Sequence, residues 1–475
     1  MFLWVCSLRF KDIMEKKRNS FSNSLGFVLA AAASAVGLGN IWRFPYLAAR
    51  DGGGLFLVIY LVLALTFGFT LLTAEIAIGR KTKQSPLTAY GKLNKKAKIL
   101  GVMACVIPAI ILPYYCAIGG WVIRYFLAFL TGSGAQTAQD GYFTNFITDT
   151  TSPILMCAVF LFLTMVIVLK GVDKGIERFS KIIMPLLVIL VIVIAVFSLT
   201  LSYEGDDKVV RTGMEGFKIL VLPDLTGVDL KTFISTLIDA MGQLFYSLSI
   251  AMGILIAYGS YMQDDTDLVA SVGQIEIFDT GIAFLAGVMV IPAVYVFMGR
   301  EGMEASGPGL MFVTLPKVFL QMGRIGNVLG CLFFAMVLFA AVTSSVSILE
   351  AIVSSFMDGF KMERKKAVLT VGVITFVAGL LVCLGYNKLY FEYTLPNGAV
   401  AQILDVMDYV SNNLMMPIVS IGTCILVGWI LGPGLVIDEA TKNGEKFVRK
   451  GLFIVMIKYV APIMLLVLLL KAIGL

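Results

Sequence analysis

One stretch near the start of the chain decides the fold. It reads Ala35-Val36-Gly37-Leu38-Gly39-Asn40-Ile41-Trp42-Arg43-Phe44-Pro45 and lies inside an apolar run over residues 24–48. An apolar run of about 20 residues is long enough to cross a membrane as a helix. Glycines in the middle of such a run weaken the helix at that point. The sequence therefore predicts a membrane-spanning helix that is broken near its centre.

A second apolar run, residues 232–258, has a similar stretch in its middle, Ser247-Leu248-Ser249-Ile250-Ala251-Met252-Gly253. The two runs are the first and the sixth of the chain, so they enter the membrane from opposite sides. Paired interrupted helices at matching positions of two halves are typical of inverted-repeat transporters, whose binding site lies at the breaks. The alternative interpretation is that these small residues only allow neighbouring helices to pack closely.

The composition indicates a protein that is mostly embedded in lipid. Of 475 residues, 59% are hydrophobic and 14% are charged, whereas a soluble domain carries about 25% charged residues. Lipid offers the backbone no hydrogen bonds, so each apolar run is predicted to be helical and the chain to be an all-α membrane protein. Eleven runs qualify: 24–48, 54–79, 101–131, 153–170, 178–202, 232–258, 274–299, 326–357, 366–386, 400–431 and 451–472.

The placement of basic residues predicts the orientation. Lys and Arg crowd the tail before the first run, the loop 80–98 and the loop 361–366, while the loop 132–152 has none. This positive-inside pattern places the N-terminus in the cytoplasm and, after eleven spans, the C-terminus outside a cell (inner) membrane. The loops 203–231 and 300–324 carry basic residues on the outer side and are amphipathic. The net charge of +6 therefore does not indicate nucleic-acid binding.

The residue types argue against an enzyme. The chain contains no His, which removes histidine metal sites, His-based triads and a His proton relay. Six of the seven Cys lie inside apolar runs without a CxxC spacing, so they are interpreted as buried small hydrophobes rather than a disulfide framework. No nucleophile–base pair, phosphate loop or cofactor motif is present.

Several polar residues lie inside the apolar runs, where a charge costs on the order of 2.5–3.5 kcal/mol. They are Glu75, Arg43, Asp239, Asp279, Asp408 and the hydroxyl series Thr343-Ser344-Ser345. A single Ser or Thr in a membrane helix usually bonds to its own i−4 carbonyl, which is the structural alternative. Beside two broken helices, however, carbonyls and hydroxyls suit an alkali cation, and helix N-termini suit a carboxylate. The set matches a zwitterionic amino acid together with a cation.

The motif at 35–45, followed by Gly52-Gly53-Gly54, resembles the first-helix signature of the neurotransmitter:sodium symporter family, which has the LeuT fold. The resemblance continues through residues 174–179, 242–249 and 343–345 and covers nearly the whole chain. It implies one transporter domain over residues 1–475 with a 5+5 inverted repeat, broken helices 1 and 6, and eleven transmembrane helices. The parts would be a cytoplasmic tail (1–23), a first repeat (24–202), a second repeat (232–431) and helix 11 (451–472).

The resemblance also implies two sodium sites. One ion would bind the substrate carboxylate, the Ala35 carbonyl, Asn40, Ser247 and Asp279. The other would bind the carbonyls of Ala33, Val36 and Ala340 and the hydroxyls of Thr343 and Ser344. Family members that need chloride hold it in a cradle that resembles Tyr60, Gln243 and Ser247 here, completed by a Ser and an Asn at the positions of Ala283 and Asp279. Since Asp279 is already an anion, it is expected to replace chloride, and no chloride requirement is predicted.

The implied substrate site and gates complete the prediction. Substrate contacts are expected from Ser34, Ala35, Leu38, Gly39, Ile111, Tyr115, Tyr246, Ser247, Ser249, Met252, Ser344 and Ile348. Arg43 and Asp408 would form an outer gate with Tyr246 as its lid, and Arg18 and Asp358 an inner gate. In monoamine-type members, the position that resembles Gly37 carries an Asp, which replaces the carboxylate that their substrates lack. This chain has Gly there, so its substrate is expected to bring its own carboxylate.

The predicted function is sodium-coupled symport of a hydrophobic or aromatic amino acid by alternating access. A membrane channel or receptor built on the same broken-helix fold is the alternative, and a membrane-embedded enzyme is a third and weaker one. The predicted partners are the amino acid and the lipid bilayer; the sequence makes no prediction of an oligomeric state.

Overall fold

The computed structural model describes residues 20–205, 208–225 and 228–475, and these are helical almost throughout. The principal helices are α1 (Ser24–Ala35), α2 (Gly39–Arg50), α3 (Gly54–Thr82), α4 (Lys95–Leu130), α5 (Ser152–Leu169), α6 (Val172–Leu199), α7 (Leu230–Ser247), α8 (Ile254–Tyr261), α9 (Leu268–Met298), α10 (Arg324–Phe360), α11 (Arg364–Leu384), α12 (Ile403–Ile430) and α13 (Lys450–Ala472). Turns of π-helix interrupt the regular geometry at Gly39–Arg43, Ala64–Gly68, Val172–Glu177, Tyr409–Met415, Leu426–Ile430 and Met456–Val460.

Shorter elements form the loops. The short helices are Pro86–Leu93, Gly134–Ala138, Tyr142–Thr148, Gly213–Val221, Glu301–Glu304, Gly307–Gly309, Leu310–Thr314, Leu315–Gln321 and Gly434–Ala440. Two antiparallel hairpins are formed by β1 (Ser202–Glu204) with β2 (Val210–Thr212) and by β3 (Tyr393–Thr394) with β4 (Val400–Ala401). The predicted amphipathic loops 203–231 and 300–324 therefore contain secondary structure of their own rather than plain linkers.

Counted by length and apolarity, the described residues contain fewer membrane-spanning helices than the predicted eleven. Within the described residues, nine helices are long and apolar enough to cross a membrane, or ten when the bent pair α1 and α2 counts as one span. The remaining predicted run, residues 232–258, consists of the two shorter helices α7 and α8 with residues 248–253 between them. Because the break divides this run, neither α7 nor α8 alone is both long and apolar enough to count as a span.

Three helices, α4, α6 and α9, each begin six residues earlier than the apolar pattern indicates. α6 begins at Val172 instead of residue 178, because a π-helical turn precedes its regular part. α9 begins at Leu268 instead of residue 274, because the Asp267 side chain accepts a hydrogen bond from the Ala270 amide (2.9 Å) and caps the helix start. Polar and charged first turns are therefore helical here, although they lie outside the apolar windows.

The first predicted break is present between α1 and α2, which differ in direction by 52°. α1 ends at Ala35 because the following residue, Val36, takes an extended conformation (φ −73°, ψ 96°). At its other end α1 is capped by Asn23, whose side chain accepts from the Gly26 amide at 2.8 Å. The helix therefore stops in the middle of the apolar run, at the small residues that predict the break.

The second break, between α7 and α8, has a strained backbone. Ser249 (φ 53°) and Ala251 (φ 65°) both lie in the left-handed region, which costs a residue with a side chain roughly 1–2 kcal/mol. Gly253 also has a positive φ, at no such cost. The buried Glu75 of α3 accepts a hydrogen bond from the Ala251 amide at 2.7 Å. This bond satisfies an amide that the helix break leaves free.

Close packing of α3 against α8 holds Glu75 at the break. A Cβ added at Gly79 would lie 2.1 Å from the Ile256 carbonyl oxygen, and one added at Gly259 would lie 2.4 Å from the Ile76 carbonyl oxygen. Only glycine permits this approach of the two backbones. The small residues of this region thus serve packing, while those at 35–39 and 247–253 serve the breaks.

Candidate functional site

Both helix breaks face one narrow cavity inside the helix bundle. All twelve residues predicted to contact substrate line it: Ser34, Ala35, Leu38, Gly39, Ile111, Tyr115, Tyr246, Ser247, Ser249, Met252, Ser344 and Ile348. Gly37 and Asn40 line it as well. The structure therefore brings the predicted residues together; their role in binding stays a prediction.

Two glycines let the backbone of the first break form a wall of this cavity. A Cβ at Gly37 would lie 3.0 Å from Ser344 Oγ and 3.5 Å from the Tyr115 hydroxyl. A Cβ at Gly39 would lie 3.0 Å from two ring atoms of Tyr246. The hydroxyl of Tyr115 is buried and has no hydrogen-bond partner among the described residues. The cavity thus has an unpaired hydroxyl beside a position that carries no side chain.

Asp279 is the centre of the polar network beside the cavity, and it is 0% exposed. Its Oδ1 accepts from Asn40 Nδ2 (2.8 Å) and from the Ser247 hydroxyl (2.6 Å), and its Oδ2 accepts from the Tyr60 hydroxyl (3.2 Å). None of the ion pairs among the described residues includes Asp279. A structural bridge to a nearby cation, the simple alternative for a buried carboxylate, is therefore not what the geometry shows.

Asn40 links this network to the first helix break. Its Oδ1 accepts from the Gly37 amide at 3.1 Å and lies 3.2 Å from the Ser247 hydroxyl. Asn40 and Ser247 stand on opposite broken helices, α2 and α7, and Asp279 stands on α9. Three of the four chain residues predicted for the first sodium ion thus share one hydrogen-bonded cluster, and the fourth, Ala35, lines the adjacent cavity.

Gln243, predicted to stand with Asp279 in the chloride-substituting set, makes a different contact. Its Nε2 donates to the Gly39 carbonyl at 3.1 Å, and its Oε1 has no hydrogen-bond partner among the described residues. The other two members of that set, Tyr60 and Ser247, bond Asp279 directly. The set is therefore partly assembled around the carboxylate and partly around the first break.

The residues predicted for the second sodium ion lie where α10 packs against α1. The Ser344 hydroxyl is 3.4 Å from the Val36 carbonyl oxygen, across the two helices. The Thr343 hydroxyl instead bonds carbonyls of its own helix, including that of Ala340 at 3.0 Å. Ala33 is buried in α1, and its carbonyl accepts no side-chain hydrogen bond among the described residues. This set is assembled less tightly than the first.

The residues predicted for the outer gate do not form a direct ion pair, and their role as a gate stays a prediction. Asp408 accepts from the Tyr114 hydroxyl (3.1 Å) and from Asn412 Nδ2 (2.6 Å), and no ion pair within 4.0 Å joins it to Arg43 among the described residues. Arg43 instead lines an open vestibule of about 380 Å³ next to the site. Tyr246 lines both this vestibule and the inner cavity, which is the position that a lid would occupy.

The predicted inner gate is only partly visible. Arg18 lies outside the described residues. Asp358, near the end of α10, accepts a hydrogen bond from the Ser85 amide at 2.6 Å. The proposed pairing of the two therefore stays a prediction.

Two buried or partly buried acidic residues form ion pairs in the structure. Sequence patterns single out Asp239 without a partner and do not single out Glu350. Asp239 in α7 bonds Lys471 at the end of α13 (2.7 Å) and also Arg50. Glu350 in α10 is 0% exposed. It accepts a hydrogen bond from the Tyr261 hydroxyl (2.7 Å) and forms an ion pair with Arg364 (2.6 Å). Arg364 contributes to the positive-inside pattern, which is a signal for orientation and does not reveal a partner.

Comparison with known proteins identifies the family. The family model described as the sodium:neurotransmitter symporter family matches residues 18–150 and 143–474. The sodium-dependent transporter YhdH of Bacillus subtilis is 31% identical over 97% of this chain and 99% of its own length. The sodium- and chloride-dependent GABA transporter 2 of Homo sapiens is 25% identical over 88% of this chain and 75% of its own length.

A solved structure agrees with this result. The crystal structure of MhsT in complex with L-phenylalanine is 34% identical and superimposes with a TM-score of 0.83, covering 96% of this chain and 100% of MhsT. The fold, the two helix breaks and the sequence matches all indicate the same family. The chain belongs to the sodium:neurotransmitter symporter family and is a transmembrane sodium symporter, not an enzyme.

Proposed function

We propose that this symporter takes up a hydrophobic or aromatic amino acid, and the observation that carries the proposal is that Gly37 brings no side chain to the cavity. The Ser344 hydroxyl and the Tyr115 hydroxyl, which has no hydrogen-bond partner among the described residues, lie against the backbone at this position. The amides at the start of α2 lack intrahelical partners and attract negative charge. A carboxylate brought by the substrate would satisfy these donors. A decarboxylated amine would leave them unpaired.

The side-chain end of the cavity supports an apolar substrate. Ile111, Met252 and Ile348 line it, and all three are buried. Methionine adapts to substrates of different shape, so both branched aliphatic and aromatic side chains are compatible with this lining. A charged side chain would be desolvated here without a partner, at a cost of several kcal/mol. The binding of L-phenylalanine by MhsT is consistent with this substrate class.

Two sodium ions are proposed. The first would bind among Asp279, Asn40, Ser247 and the Ala35 carbonyl, next to the substrate carboxylate. The second would bind among Thr343, Ser344 and the carbonyls of Ala33, Val36 and Ala340. Both sets consist of oxygen ligands, which suit a small alkali cation.

Transport is proposed not to need chloride, unlike that of a relative whose name states a chloride dependence. The Asp279 carboxylate is buried among neutral donors. A second anion a few Å away would be repelled by several kcal/mol, even at an effective dielectric constant of about 20. The carboxylate thus excludes chloride and supplies its charge.

The proposed arrangement in the membrane follows the sequence. It has eleven spans, with α7 and α8 together forming the sixth, and inverted repeats over residues 24–202 and 232–431. The N-terminus is in the cytoplasm and the C-terminus outside, in the cell (inner) membrane. Alternating access around the central cavity then carries substrate and sodium together.

Uptake by proteoliposomes tests this proposal. With an inward sodium gradient and chloride replaced by gluconate, labelled L-phenylalanine or L-leucine should accumulate, and collapse of the gradient should abolish accumulation. Phenethylamine, which lacks the carboxylate, should not compete. Preferential uptake of a charged amino acid or of the amine would contradict the proposed substrate class. A sodium current without amino-acid accumulation would favour a channel.

A further inference from the structure

A second cavity, at the end of the bundle where α3 begins and α9 ends, has no role in the transport described above. Its volume is about 810 Å³, and ligand pockets commonly measure about 300–1,000 Å³. Its walls are the end of α2, the segment 218–224 that follows α6, and the residues 300–304 that follow α9. It shares no lining residue with the central cavity, and we call it the surface pocket.

Contacts between backbones hold one wall of the surface pocket. The amide of Asp224, an acid that lines the pocket, donates to the Gly52 carbonyl at 3.2 Å. A Cβ at Gly53 would lie 2.0 Å from the Ile219 carbonyl oxygen, so only glycine permits this approach. The glycines that follow α2 therefore fix the segment 218–224 in place.

The surface pocket also has charges of both signs without partners. Lys218, Arg300 and Glu304 line it, and all three are exposed. None of their side chains takes part in an ion pair or a hydrogen bond among the described residues. The third cation of the pocket, Arg50, already pairs with Asp51 at 2.6 Å. Unpaired charges of both signs suit a zwitterionic ligand better than a simple anion.

An apolar stripe on α3 continues from this pocket. Val58, Leu61 and Val62 are exposed, and their spacing places them on one face of the helix. Gly54 lies one turn earlier on the same face, and its backbone packs against the segment that contains the exposed, pocket-lining Leu222. Since α3 is long and apolar enough to cross the membrane, the stripe lies where lipid chains pass.

From these contacts we infer that the surface pocket binds the headgroup of a zwitterionic membrane phospholipid with a primary ammonium group, of the phosphatidylethanolamine type. Lys218 and Arg300 bind the phosphate, Glu304 binds the ammonium group, and the acyl chains lie along the apolar stripe. Such a lipid matches both the unpaired charges and the position at the end of a membrane-spanning helix. The inference does not depend on the proposed substrate.

The test is lipid binding to the purified full-length protein in detergent, measured by native mass spectrometry at increasing lipid concentration. Phosphatidylethanolamine is compared with phosphatidylcholine of the same acyl chains, because the trimethylammonium group of the latter cannot donate a hydrogen bond to a carboxylate. Contacts between exposed charges are weak, so phosphatidylethanolamine should bind about fivefold more tightly.

Two variants separate the two halves of the headgroup. Glu304→Gln should weaken phosphatidylethanolamine alone, so that the ratio of the two affinities falls to about one. Arg300→Gln should weaken both lipids about fivefold and keep the ratio. Glu301→Gln and Arg324→Gln are the matched controls, because both residues are exposed and neither lines the pocket. Both control variants should behave like the unmodified protein.

Equal binding of the two lipids by the unmodified protein would overturn the inference, and so would a preference that survives in Glu304→Gln or is lost equally in Glu301→Gln. Glycerophosphoethanolamine, the same headgroup without acyl chains, should compete at least about a hundredfold more weakly than the lipid. Competition at equal concentration would assign the pocket to a soluble zwitterion and contradict the lipid. The binding is measured without sodium gradient or amino acid, so its failure would leave the proposed transport intact.

Discussion

The two predicted sodium sites are built in different ways. Around Asp279, side chains from α2, α3 and α7 converge on one carboxylate through three hydrogen bonds between helices. Around Thr343 there is no charged group among the predicted ligands, and the Thr343 hydroxyl bonds two carbonyls of its own helix, Phe339 and Ala340, at 3.0 Å each.

The difference indicates how far tertiary packing alone fixes each set of predicted ligands. A network between helices is fixed by tertiary packing, so the first set holds its geometry in advance. A hydroxyl bonded within its helix has the ordinary membrane-helix pattern and must rotate to bind an ion. The first set should therefore determine the charge balance of the carrier, and the second should contribute a weaker, more adjustable site.

Removing the charge of the first set should have the largest effect. Asp279→Asn keeps the shape but replaces the only carboxylate of the network. In chloride-free buffer, the sodium concentration for half-maximal uptake should rise by about a hundredfold or more, since a charge–charge attraction in a partly desolvated site is lost. Asp265→Asn is the control, because this carboxylate lies exposed in the loop between α8 and α9. A normal sodium dependence in Asp279→Asn would contradict the claim that the first set of ligands affects sodium binding more than the second.

The second set should respond more weakly. Thr343→Val removes one neutral ligand without changing the volume much, so the sodium concentration for half-maximal uptake should rise about tenfold. Ser345→Ala is a close control two positions along α10, where the hydroxyl lies 2.8 Å from that of Thr164 in α5 and is not a predicted ligand. An effect of Ser345→Ala as large as that of Thr343→Val would mean that α10 is merely destabilised.

The smallest effect is expected at the edge of the first set. Tyr60→Phe removes the hydroxyl that donates to Asp279 at 3.2 Å and keeps the ring. Because 3.2 Å is long for an O–H···O hydrogen bond, its loss should weaken sodium binding only about threefold to tenfold, measured by sodium titration of substrate binding. An effect as large as that of Asp279→Asn would indicate that the tyrosine itself binds the ion.

Much of the site could be predicted from local sequence. The break at Gly37 follows from small residues inside an apolar run, and the meeting of the predicted substrate residues around one cavity follows from the family motif. Such signals are strong because each is contained in a short segment. The position of a helix break depends on the conformational freedom of a few neighbouring residues, and glycine or serine at these positions indicates it.

The partners of the buried charges could not be predicted in this way. Glu75 bonds the amide of Ala251 at the second break, and the two residues are separated by 176 positions. Asp408 accepts a hydrogen bond from Tyr114 of α4, 294 positions away, instead of pairing directly with Arg43. Contacts of this kind are set by which helices pack side by side, and periodicity along one helix carries no information about them.

The chloride dependence of one double variant tests the central claim most directly, namely that the charge at Asp279 takes the place of chloride. Position 283 lies one helical turn from position 279, on the same side of α9, so a hydroxyl there can face the same network. The measurement is sodium-driven amino-acid uptake in chloride and in gluconate, for the unmodified protein and for Asp279→Asn combined with Ala283→Ser. The unmodified protein should transport equally in both buffers, and the double variant should transport only in chloride. An unmodified protein that stops transporting without chloride, or a double variant that is indifferent to it, would contradict the claim.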